Sequence, residues 1–189
     1  MKSIIKFLKI IIFFTGASMA IAYFIPNNGC PKIWSYLATM ALPFAIDFLR
    51  LIGLKISKRL EIAYLLFIIA AMVVGIDFDL YKTVAPYDKI VHTLSGVLTA
   101  FGARELLEQA SGKPDQIWFK ALFSLGFVAL VAVLWECYEF SYDQITGGNM
   151  QQLISPGLED TMYDMIVALI GGIVGTVMAF PLRQGSRKK

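Results

Sequence analysis

The chain has 189 residues, 57% of them hydrophobic and 16% charged, with a mean hydropathy of +0.65. An ordinary soluble domain carries about 45–50% apolar and about 25% charged residues, so this balance excludes one and describes a polytopic membrane protein. The net charge of +3 gives a nucleic-acid surface little support.

A helix needs about twenty largely apolar residues to cross roughly 30 Å of hydrocarbon. Six stretches qualify: 4–25, 33–54, 60–78, 87–107, 117–140 and 158–182. They use almost the whole chain, with short connections and no convincing internal repeat. The expected fold class is therefore all-α, a bundle of six transmembrane helices forming a single integral membrane domain over 1–189.

The first stretch follows Lys2, Lys6 and Lys9 and contains Ala17-Ser18-Met19-Ala20, which a secretory signal could use as a cleavage site. Its apolar run continues to Pro26, which fits an uncleaved span better. The second stretch carries Asp47 and Arg50 near its end, with Lys58, Arg59 and Glu61 close in sequence, and these read as an interfacial ion-pair cluster.

The fourth stretch opens after Pro86, a helix-start signal, and places Asp88, His92, Ser95 and Thr99 on one face at steps of 4, 3 and 4. The fifth ends in Trp135-Glu136-Cys137-Tyr138-Glu139, with both glutamates on one face. The sixth follows Ser155-Pro156-Gly157 and begins with Asp160 and Asp164, then continues down the same face through Ala168, Gly171 and Gly175. Small-residue stripes of this kind mark close helix packing in membranes, so the two aspartates are expected to point into the bundle. In the turn before the sixth stretch, Gly147-Gly148-Asn149 could wrap a phosphate through backbone N–H groups but reads more simply as a plain turn. Asn149, Gln151 and Gln152 are placed to cover the acidic residues.

Charge orients the bundle. With the N-terminus inside, 14 of the 17 Lys and Arg residues fall on one face, leaving Lys32, Lys82 and Lys89 on the other. The positive-inside rule then places both termini in the cytoplasm. The basic tail 183–189 reads as a topology anchor held by anionic lipid. Cys30 and Cys137 both fall at the outer end, where a disulfide can form, although two cysteines alone do not establish one.

The acids segregate outward. The fourth and sixth stretches enter from the outside and the fifth leaves there, so Asp88, His92, Glu136, Glu139, Asp160 and Asp164 share one layer near the outer surface. A charge in a membrane helix is costly and marks a functional site by default. Lys89, the nearest basic residue, is turned about 100° from Asp88 on the helix, which leaves the layer electrostatically incomplete. A divalent ion on His92, Glu136, Asp160 and Asp164 can complete it, as can shared protons or a cationic or polar ligand held by Asp88, Ser95 and Asp160. Hydration at helix starts is the remaining alternative and suits Asp88 and Asp160 best.

The blocks Tyr87-Asp88-Lys89-Ile90-Val91-His92, Trp135-Glu136-Cys137-Tyr138-Glu139 and Asp160-Thr161-Met162-Tyr163-Asp164 resemble the YjdF-like family of small bacterial inner-membrane proteins, whose biochemical function is unknown. More distantly they resemble the VanZ-like proteins linked to glycopeptide antibiotic tolerance. The resemblance implies a multi-pass protein of the bacterial plasma membrane and supports grouping Asp88, His92, Glu136, Asp160 and Asp164. This chain departs from its relatives at Ala168, where they often carry Asp or Asn.

The expected function is a cell-envelope role in which the outer polar layer binds an ion or a lipid-linked head group. Membrane lipids and a lipid-linked envelope precursor are the expected partners, and a homo-oligomer is left open. One alternative is a metal-dependent hydrolase acting on a lipid phosphate or ester, with Glu136 or Glu139 as general base toward a metal-bound water. The other is a small transporter or proton-coupled permease, which would need a polar route inward below Thr99.

The orientation is checked by cysteine-accessibility labelling after removal of Cys30 and Cys137. A cysteine at position 113 should be protected from an impermeant reagent and one at position 149 should react. The reverse pattern places the acidic layer in the cytoplasm.

Overall fold

The computed structural model describes residues 1–27, 33–110, 115–151 and 157–181. Cys30, Lys32, Lys113, Gln152, Ser155, Pro156 and the basic tail 183–189 lie outside them, and with these the disulfide, the tail anchor and part of the outer loop. The described residues are helical and contain no strand.

Helix α1 is unbroken over Lys2–Asn27, through the stretch that resembles a cleavage site. The second stretch is a helix in three pieces: α2 (Ile33–Ala41), a 3-10 turn at Leu42–Phe44 and α3 (Ala45–Leu51). Pro43 accounts for the interruption, because it has no N–H to give the ladder and sits in the first turn of the 3-10 segment. Helix α4 (Lys58–Ile68) is capped by the Ser57 side chain on Leu60 N–H. It continues as a π-helical segment, Ile69–Asp77, in which Phe78 N–H reaches back to Val73 O at 3.1 Å. The wider turn admits a neighbour: the Tyr81 ring lies where a Cβ on Gly75 would be, and the Tyr87 hydroxyl donates to Ala70 O at 2.8 Å.

A short helix α5 (Leu80–Thr83) leads into α6 (Tyr87–Gln109), then α7 (Ile117–Thr146) and α8 (Gly157–Ala179). Helix α7 runs past its expected end at 140 and stops at Gly147. That glycine adopts φ 65° and donates its N–H to Asp143 O, a left-handed C-terminal cap.

Four helical segments are long and apolar enough to cross a membrane by themselves: Lys2–Ala22, Lys58–Asp77, Ile117–Thr146 and Leu158–Ala179. The stretch at 33–51 is divided by its 3-10 turn, and α6 carries charged residues at both ends. Burial is inverted relative to a soluble protein. Glu61, His92, Glu136, Glu139 and Asp164 are buried, whereas Phe14, Leu122, Leu134, Ile173 and Val177 are exposed. An apolar exterior around buried charges suits lipid as the surrounding solvent.

One apolar cluster joins Ile5 and Ile12 of α1 to Leu65, Ile68 and Met72 of the third stretch and Val91 of α6. The most extensive packing is α6 on α8, with α7 against both. Along that seam the backbones touch. A Cβ on Gly171 would overlap Thr93 O, one on Gly96 would overlap Ala168 O, and one on Gly175 would come within 2.7 Å of Val97 O. The stripe Ala168, Gly171 and Gly175 therefore packs as its spacing predicts, and the side of α6 that receives it is Thr93, Gly96 and Ala100.

Matched Gly→Ala changes test the seam. Gly126 has nothing within 4 Å of its Cβ position, so Gly126→Ala should raise stability by about 0.5–1 kcal/mol through helix propensity. Gly171→Ala should lower it by about 1–3 kcal/mol, because neither backbone can yield cheaply. Thermal unfolding in detergent reads both, and equal shifts in one direction contradict the seam.

Candidate functional site

The acidic layer lies where the N-terminal turns of α6 and α8 meet the C-terminal half of α7. Pro86 occupies the N-cap position of α6 and leaves Asp88 in the first turn, where the helix dipole favours a carboxylate. Glu159 and Asp160 occupy the corresponding turn of α8.

Lys89 is at the centre of the cluster. Its Nζ donates to Asp88 Oδ2 at 2.9 Å, Asp160 Oδ1 at 2.5 Å and Asp164 Oδ1 at 2.8 Å. The rotation that separates Lys89 from Asp88 on the helix does not keep it out, because α8 packs on the Thr93, Gly96 and Ala100 side of α6, which Lys89 heads. Its four-carbon stem then spans the remaining distance. The signal was in the sequence: Lys89, Thr93, Gly96 and Ala100 recur at steps of 4, 3 and 4, the same period as the more conspicuous polar face.

His92 is buried beside this group, with Nε2 at 3.6 Å from Asp88 Oδ1 and 3.7 Å from Asp164 Oδ1. These separations are too long for direct hydrogen bonds and suit a bridging water or ion. One ligand atom from each of Asp88, His92 and Asp164 lies within 4.8 Å of the others, so these three can hold a metal together. The expected metal set was His92, Glu136, Asp160 and Asp164. His92 and Asp164 meet as that set requires, Asp88 takes the third position, and Asp160 and Glu136 stand outside the group. Asp160 is bonded to Lys89, and Glu136 approaches α8 beside Thr161.

Glu136 and Glu139 are both buried on α7. Glu139 accepts a 2.8 Å hydrogen bond from Trp135 Nε1, and Glu136 Oε2 is buried with no hydrogen-bond partner among the described residues. Neither has a cationic partner among the described residues. Ser95 is half-buried and gives its hydroxyl to His92 O at 2.7 Å, within its own helix, so it does not join the carboxylates. Ala168 is buried in the α6 contact, and a carboxylate there would occupy the closest approach of the two helices.

The turn after α7 is held by Asp143, whose carboxylate accepts from Met150 N at 2.7 Å and Gln151 N at 3.0 Å, while Gly148 N–H goes to Thr146 Oγ1. Those N–H groups are committed internally, as in the plain turn expected at Gly147-Gly148-Asn149. Gln151 Nε2 reaches Thr161 Oγ1 at 3.2 Å, beside Glu136. A cavity of about 170 Å³ lined by Ser35, Met72, Trp135, Tyr138 and Met150 adjoins this corner.

Fold and burial together define a helical integral membrane protein with a polar cluster held between its helices. The chain belongs to the DUF2238 family of predicted membrane proteins, whose sequence profile matches residues 7–185. An uncharacterized protein of Thermotoga maritima is 29% identical to it over 99 residues, covering 52% of this chain and 50% of that protein. The chain thus spans half the length of this relative. No solved structure matches.

Removing Lys89 leaves three carboxylates facing one another without a cation. Breaking a fully buried pair costs about 3–5 kcal/mol, and the Lys89 side chain keeps 31% of its exposure, so Lys89→Met should cost about 2 kcal/mol. Adding Asp164→Asn should recover part of that loss. The double-mutant cycle by thermal unfolding reads the coupling, and additive effects show that the contacts carry no energy.

Proposed function

We propose that the acidic layer binds a cation, either an inorganic ion or the charged part of a lipid-linked head group. The observation that carries this reading is the charge imbalance. Lys89 answers Asp88, Asp160 and Asp164, while Glu136 and Glu139 lie buried beyond it with no cationic partner among the described residues. Buried carboxylates so close together need a cation, a proton or a bound ligand. Hydrated capping accounts for Asp88 and Asp160 in their first turns and leaves Glu136, Glu139 and Asp164 unexplained.

In this reading the chain is a single domain of six spans in the bacterial plasma membrane. Both termini are cytoplasmic and the layer faces the envelope, in line with the YjdF-like resemblance. The 33–51 stretch and α6 cross with the help of neighbours that cover their breaks and charges.

A second reading rests on Asp88, His92 and Asp164, whose ligand atoms converge within 4.8 Å. A divalent metal held there would polarise a lipid phosphate or ester and lower the pKa of a bound water, with Glu136 or Glu139 as general base. Asp88 and Asp164 are the carboxylates that hold Lys89, so metal entry must displace that ammonium. This requirement ranks the hydrolase below simple binding. Transport ranks last, because the α6–α8 seam is closed by backbone contact at Gly171 and Gly175 and the buried polar pair deeper down is Ser124–Thr176 at 2.7 Å.

Metal and lipid analysis of detergent-purified protein, with and without chelator, tests the reading. Wild type should retain a stoichiometric divalent ion or an amine-bearing lipid, and Asp164→Asn and Glu136→Gln should each lose it at least tenfold while remaining folded in detergent. Loss in Asp164→Asn alone selects the Asp88, His92 and Asp164 metal set. If both variants keep every bound species, the layer is not a binding site.

A further inference from the structure

The opposite end of the molecule carries a larger concavity, independent of the acidic layer. A groove of about 660 Å³ lies between α1, the 3-10 turn with α3, and the start of α4, within the roughly 300–1,000 Å³ range of small-molecule sites. Its inner wall is a quartet of ion pairs. Lys9 Nζ lies 2.6 Å from Asp47 and 2.8 Å from Glu61, and Arg50 lies 2.7 Å from Glu61 and 3.5 Å from Asp47. The ion-pair cluster expected from sequence thus forms around Asp47, Arg50 and Glu61, with Lys9 as its second cation and Glu61 only 2% exposed.

The quartet is neutral as a unit, two cations against two carboxylates. The charge left around the groove is therefore that of Lys2, Lys6 and Lys58, which are exposed, line it and have no carboxylate partner among the described residues. Further along α1 from Lys2 and Lys6, past Lys9 of the quartet, the walls are apolar: Ile10, Phe13, Phe14 and Phe44, with Phe13 and Phe44 packed edge to face at 6.2 Å. A hydrocarbon slot with three free ammonium groups at its mouth complements one kind of molecule, an amphiphile with an acyl chain and an anionic phosphate.

We propose that this groove is a specific site for an anionic phospholipid of the surrounding bilayer, with a chain along Phe13, Phe14 and Phe44 and the phosphate on Lys2, Lys6 and Lys58. Basic pockets between membrane helices hold anionic head groups in this way. The ion-pair quartet keeps α1, α3 and α4 apart at a fixed width and so sets the size of the slot. The ligand is distinguished from lipid attracted by surface potential alone, because its retention needs both the charges and the empty apolar volume.

The test is native mass spectrometry of the full chain from nanodiscs containing equal phosphatidylglycerol and phosphatidylcholine. Wild type should retain one phosphatidylglycerol with at least fivefold preference. Ile10→Trp fills the slot and keeps every charge; Ile10 is 44% exposed, so folding should tolerate it. This variant should lose the retained lipid, and so should Lys2→Gln/Lys6→Gln/Lys58→Gln. Lys55→Gln/Arg59→Gln/Lys120→Gln removes three charges from the same end outside the groove and should keep the wild-type preference. Unchanged retention in Ile10→Trp, or equal loss in the two triple variants, overturns the proposal.

Discussion

The contact between α6 and α8 is the constraint on which the rest depends. Thr93, Gly96, Ala100, Ala168, Gly171 and Gly175 let the two backbones touch, and that approach brings the first turns of both helices to one depth and within a few ångströms. Four carboxylate or imidazole groups and one ammonium then share a volume that none could enter alone. In lipid there is no hydrophobic force to press helices together, so such a seam must rest on close van der Waals contact and on polar groups that find partners across it. The glycines supply the first and Lys89 with its three aspartates supplies the second.

Charge compensation within that layer is partial, and the partial character is informative. A lysine bonded to three carboxylates is a closed unit that can stabilise the helix crossing with no ligand at all. Glu136 and Glu139 fall outside it, on a third helix, with one oxygen of Glu136 buried and without a hydrogen-bond partner among the described residues. A purely structural cluster would have little reason to keep two more acids at such cost. The π-helical segment beside Tyr81 and Tyr87 adds to the same corner a widened turn of the sort that recurs near functional sites.

The two ends of the molecule have opposite chemistry. At one end buried acids outnumber cations among the described residues. At the other, Lys9, Arg50, Asp47 and Glu61 neutralise one another and leave free lysines at the rim of an apolar groove. Links between the loop at 52–57 and the end of α6, such as Ser57 N to Glu105 at 2.8 Å and Lys55 N to Gln109 at 2.7 Å, tie the basic end together. Each end thus has its own polar framework, with an apolar middle between them.

The sequence by itself determined the class of the protein, since apolar run length and composition require a helical membrane bundle whatever its packing. Period and spacing also placed Asp88, His92, Glu136, Glu139, Asp160 and Asp164 at one depth, because rise per residue and the direction of entry fix depth without reference to neighbours. Rotation of each helix about its own axis is a different quantity, set by what the helix packs against. Only the tertiary structure decided that the small-residue side of α6 faces α8, that Lys89 reaches the three aspartates, and that Ser95 bonds back to its own helix. Helix continuity was also beyond the sequence's reach in part. The second stretch reads as one span in the sequence and is divided at Pro43, and the third contains a π-helical segment, Ile69–Asp77, beside the Tyr81 ring and the Tyr87 hydroxyl.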